Sequence, residues 1–111
     1  MSGTQNCLFG YSIAKTGVNG DYNAYFGSYV KYYAGGSSGT SADTGGSNVM
    51  IGYAAGLYNY NASKNVYIGA YSGYNNSAES GGNNIAIGEY AGWQNNYING
   101  TSNKIVIGNN S

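Results

Sequence analysis

The sequence predicts an all-β repeat protein: a β-solenoid or β-roll of about six short coils, packed or intertwined as a homotrimeric fibre. Three observations lead there. A short apolar motif ending in glycine recurs along the whole chain, each copy alternates side chains with a period of two, and the intervening residues are turn formers. Asn, Ser and Gly dominate these spacers, 20 of the 111 residues are Gly, and Pro is absent.

Aligned on its glycine, the first copy reads Asn6-Cys7-Leu8-Phe9-Gly10 and the second Asn23-Ala24-Tyr25-Phe26-Gly27. The third and fourth are Asn48-Val49-Met50-Ile51-Gly52 and Asn65-Val66-Tyr67-Ile68-Gly69. Asn84-Ile85-Ala86-Ile87-Gly88 and Lys104-Ile105-Val106-Ile107-Gly108 complete the series. The anchor glycines stand 17, 25, 17, 19 and 20 residues apart. Three copies reach a second glycine four residues on, at Gly56, Gly73 and Gly92. Residues 1–111 therefore read as one repeat domain, interrupted by one insertion, residues 31–47.

Each copy is a strand, because alternate residues of an extended chain share a face. Phe9, Phe26, Ile51, Ile68, Ile87 and Ile107 precede the glycine, with Val49, Val66, Ile85 and Ile105 two residues earlier. This constant, largely β-branched set is the predicted buried core. The residue between them changes freely (Leu, Tyr, Met, Tyr, Ala, Val), which predicts an outer face. Ala55, Ser72 and Ala91, three residues past the glycine, are small enough for an inward corner. The recurrent Asn before five of the six strands suits either an Asx turn or a ladder of side-chain amides from coil to coil.

A 17–20-residue coil at ~3.3 Å per residue has a contour of roughly 55–65 Å, enough for a narrow loop around a thin core. A core of about three inward apolar groups per coil is small against the entropy of ordering the chain. Three chains sharing an apolar axis would supply the rest, hence the predicted trimer. Neither end carries a helix, a Pro or a charge cluster to cap exposed strand edges, so head-to-tail stacking into a filament is a second expected mode of self-association.

Composition excludes much else. Four Lys, no Arg and four acidic residues leave no net charge, so nucleic acid is not an expected partner. No apolar run approaches the ~18–20 residues of a membrane helix, and the alternating runs are short of the ~9–11 residues of a transmembrane barrel strand, so membrane insertion is not expected. The chain lacks His, its only Cys is Cys7, and Asp21, Asp43, Glu79 and Glu89 are widely spaced. Catalysis, a metal site and a cofactor are accordingly not expected.

The candidate ligand contacts are Tyr29, Tyr32 and Tyr33, at the base of the insertion, where phenol rings beside Asn and Ser would stack on glycan. The remaining tyrosines, present in nearly every copy, are expected to stack on one another along the coil axis.

The unit as written in NVMIGYAAG and NNIAIGEYAG resembles the NTAIGYxAG-type repeats of phage tail-fibre shafts and, more loosely, the head repeats of YadA-like trimeric adhesins. The likeness covers residues 48–108 and, more weakly, 6–30. It implies a homotrimeric fibre of short β-strands, displayed extracellularly or on a virion surface and used for attachment. Two functions are thus expected: a stiff shaft or self-assembling filament subunit, or a lectin-like fibre tip that binds glycan through its tyrosine-rich loops.

Overall fold

A computed structural model of the chain describes residues 4–14, 20–31, 45–58, 63–74, 82–93 and 103–109. Each segment carries one strand: β1 (Cys7–Tyr11), β2 (Ala24–Ser28), β3 (Val49–Ile51), β4 (Val66–Ile68), β5 (Ile85–Ile87) and β6 (Ile105–Ile107). The strands form a single parallel sheet in sequence order. Corresponding residues lie directly beside one another, Val49 next to Val66 and Ile85 next to Ile105. Parallel neighbours in strict sequence order require the chain to return to the same place after every strand. The fold is a β-solenoid, as the repeat predicts.

The register holds outside the strands too. Cys7, Ala24, Val49, Val66 and Ile85 each donate a backbone N–H to the carbonyl of the next copy's Asn or, last, Lys104, at 2.7–2.9 Å. Past the glycine the bonding resumes, with Tyr71 N–H to Tyr53 O at 2.8 Å and Gly73 N–H to Ala91 O at 2.9 Å. Left-handed backbone marks the corners at recurring positions. One is the residue before each ladder Asn or Lys104, from Gln5 (φ 57°) to Asn103 (φ 61°). Another is the anchor glycine itself, with φ between 126° and 141°. A Cβ on Gly52 would sit 2.7 Å from the carbonyl oxygen of Gly69, so both conformation and the close approach of coils demand glycine there.

The strand faces are opposite to the expectation. Tyr25, Met50, Tyr67 and Ala86 are fully buried and Val106 nearly so. They pack with Val30, Ala55 and Ala91 from the corner three residues past the glycine. Phe9, Phe26, Val49, Ile51, Val66, Ile68, Ile85, Ile87, Ile105 and Ile107 instead lie on the outer face, half-buried or exposed. Phe9, Ile105 and Ile107 are 72%, 70% and 69% exposed.

Volume matching explains why the variable position is inside. The interior admits one strand side chain per coil, and its neighbours along the axis set the space available. The large Tyr67 ring packs against the backbone of Gly73, while its partner in β5 is the small Ala86. Ser72 fills the adjoining corner and donates its hydroxyl to Ala86 O at 2.7 Å. Variation there is complementary packing, not exposure. The small corner residues Ala55, Ser72 and Ala91 are buried, as predicted.

The ladder alternative for the Asn residues is the one realised. The Nδ2 of Asn23, Asn48 and Asn65 donates to the Oδ1 of the preceding Asn at 3.0, 3.1 and 3.2 Å. Each Oδ1 also accepts the backbone N–H of the following copy's residue, through to Lys104 N–H on Asn84 Oδ1 at 2.9 Å. A buried primary amide offers both a donor and an acceptor, so it can be passed from coil to coil.

Candidate functional site

Beyond the anchor glycines the turns carry a row of tyrosines. Tyr11, Tyr29, Tyr53, Tyr71 and Tyr90 follow one another along the axis with ring centroids 5.7, 5.8, 5.4 and 4.9 Å apart. Tyr11 and Tyr53 stand one residue after the glycine, Tyr29 and Tyr71 two. The staggered pairs meet edge to face at 69–75°. Tyr71 and Tyr90 share the same position and stack with their planes 3° apart. Both geometries are favoured for aromatic quadrupoles. Tyr53 has its phenol held above the ordinary value of 10.0, chiefly by the neighbouring charge of Tyr71 and by their hydrogen bond.

A second, shorter row runs beside the first: Tyr58, Tyr74 and Trp93, with centroids 5.4 and 6.1 Å apart. Four-residue turns link the rows. Tyr74 N–H donates to Tyr71 O at 3.2 Å and Trp93 N–H to Tyr90 O at 3.1 Å. Each turn brings its two rings together nearly at right angles, 65° for Tyr71 with Tyr74 and 76° for Tyr90 with Trp93. Burial and the adjacent phenols of Tyr58 and Tyr71 push the Tyr74 phenol upward.

The end of this aromatic surface opens into a cavity of about 390 Å³ lined by Glu89, Tyr90, Trp93 and Asn109. Asn109 accepts the Glu89 backbone N–H on its Oδ1 at 3.2 Å. Sequence reasoning missed this cavity. Glu89 and Asn109 are 20 residues apart, and only alignment on the glycine shows that both fill the first position past it in successive copies.

Of the three tyrosines expected to touch glycan, Tyr29 is a member of the long row, held edge-on between Tyr11 and Tyr53. Tyr32 and Tyr33 lie outside the described residues, as does most of the 31–47 insertion. Lys31, at the start of that insertion, is buried with its Nζ 5.7 Å from the centroid of the Tyr25 ring, a cation–π distance.

The outer strand face forms a second candidate surface. Phe9 and Phe26 lie 6.1 Å apart on it, and the Val and Ile pairs of β3 to β6 continue the line. It carries no charge. Among the described residues no group of three or more Cys, Asp or Glu is placed to hold a metal, and no helix is long and apolar enough to cross a membrane.

These features define a β-solenoid repeat protein with two surfaces, one apolar and one aromatic. Comparison with protein-family models, curated proteins and solved structures gives no match.

Proposed function

We propose that this chain is a non-enzymatic structural protein, a β-solenoid shaft that associates laterally with copies of itself into a homotrimeric fibre. The observation that carries the reading is the outward apolar strip. It runs over all six strands. Phe26 and Ile51 are 39% exposed within it, and the Val and Ile of β4 and β5 are half-buried. Phe9, Ile105 and Ile107, on the two terminal strands, reach about 70%. A contiguous apolar surface of that kind marks an association site. Its rows repeat at the strand spacing of ~4.8 Å, and a second copy of the same solenoid offers a strip of identical period and equal lack of charge. The order of three, the display outside a cell or virion and the role in attachment rest on the resemblance of the repeat to fibre shafts.

Lateral association is better supported than head-to-tail stacking. Each ladder Asn passes an Oδ1 acceptor to the next coil, but Lys104 occupies the ladder position of the sixth copy and has no such oxygen. The Asn6 of a following copy would find no side-chain acceptor there. A Lys at a strand edge also opposes edge pairing.

Substituting Ile51→Lys and Ile87→Lys tests the reading, with Tyr22→Lys, 63% exposed and off the strip, as control. Light scattering should show the strip variants falling to lower mass while the control keeps the wild-type mass. Equal mass in all three would contradict lateral association through this face.

A further inference from the structure

We infer that the cavity between Glu89, Tyr90, Trp93 and Asn109 is a carbohydrate site, built to hold a neutral pyranose by two adjacent hydroxyls. Its two walls are aromatic. Tyr90 is stacked on Tyr71 through one face, and Trp93 stands nearly perpendicular to it at 5.5 Å. Such rings bury the C–H face of a sugar without demanding charge from it. The turn bond from Trp93 N–H to Tyr90 O and the packing of Trp93 against Tyr74 hold the corner in place before a ligand arrives.

The polar wall selects the ligand class. Asn109 presents its Oδ1 to the Glu89 N–H, which orients the amide so that its Nδ2 hydrogens are free to donate elsewhere. Among the described residues neither that Nδ2 nor the Glu89 carboxylate has a hydrogen-bond partner. An amide donor and an acceptor-only carboxylate on residues lining the same cavity complement a vicinal diol. One hydroxyl donates to Glu89 while its neighbour accepts from Asn109. A quaternary ammonium ion would also favour two aromatic walls and a carboxylate, but it gains nothing from the amide donor and is repelled by it. The cavity volume lies within the ~300–1,000 Å³ range of small-molecule sites. None of its residues belongs to the apolar strip, so the site is independent of self-association.

Trp93 is the sole tryptophan, so its emission reports on this corner alone. The wild-type chain is titrated with the methyl glycosides of glucose, galactose and mannose, and separately with choline. At least one glycoside should give a saturable change in Trp93 emission, with choline giving none. Glu89→Gln and Asn109→Ala should each weaken that glycoside at least tenfold with unchanged circular dichroism. Calorimetry on Trp93→Phe should show weakened binding, since the smaller ring keeps part of the platform. No saturable response to any glycoside, a response to choline alone, or unaltered affinity in both polar variants would overturn the assignment. A failure here leaves the shaft reading intact, because that reading stands on the mass of the strip variants.

Discussion

Asn48 donates its side-chain amide to Asn23 Oδ1 at 3.1 Å across 25 residues, and Asn65 makes the same bond to Asn48 across 17. The ladder is thus indifferent to what lies between its rungs. Removing the Asn48 side chain takes the shared Oδ1 acceptor from both the Asn65 backbone N–H and its Nδ2, while Asn23 Oδ1 keeps the backbone N–H of residue 48. Each buried hydrogen bond lost in this way costs ~1–3 kcal/mol. Asn48→Ala should destabilise the chain by about 2–4 kcal/mol in urea unfolding. A loss under about 0.5 kcal/mol would show that the ladder contributes little.

The insertion should be dispensable for stability. Deleting residues 36–43 restores a 17-residue spacing between Gly27 and Gly52, while the Ala24–Val49 register needs no adjustment. Loop closure changes by only ~0.6 kcal/mol per doubling of length. The unfolding midpoint should move by less than about 0.5 kcal/mol equivalent, and a collapse of the fold would refute the independence of loop and ladder.

Gly52 and Lys64 probe the corner conformations from opposite directions. Gly52→Ala places a Cβ against Gly69 O at φ 135°, and should cost about 2 kcal/mol or more. Lys64 is an exposed residue at φ 63°, where the next two copies have Asn83 and Asn103. Asn tolerates the left-handed region better than Lys, so Lys64→Asn should stabilise by about 0.5 kcal/mol. Both shifts are read by thermal and urea unfolding.

Alkaline pH should loosen the aromatic rows. The Tyr53 and Tyr74 phenols are raised above their ordinary 10.0, so the folded state favours the protonated form. Their contribution is fully present below pH 10.0 and is lost as pH rises through the higher folded values. Unfolding free energy should therefore decline above about pH 10, and Tyr53→Phe should flatten that decline. A profile unaltered in the variant would remove Tyr53 from the account.

The repeat, the strand positions, the corner glycines and the small corner residues were all legible in the sequence, because glycine spacing and period-two alternation follow from backbone geometry alone. The facing of the strands was not. Tyr25, Met50, Tyr67 and Ala86 vary because each must fit the coil beside it, and a chain read copy by copy shows that variation without its axial partners. The uniform Ile51, Ile68, Ile87 and Ile107 do not fill this chain's own interior. The Glu89–Asn109 contact was equally hidden, since it depends on two spacer residues meeting across a whole coil.

The most direct test of the account is the mass of the unmodified chain by sedimentation equilibrium over a wide concentration range. A species near three times the 11.5 kDa chain mass is predicted, with the Val and Ile strip covered. A species that stays at 11.5 kDa at every concentration would contradict it, leaving the outward strip as bare surface.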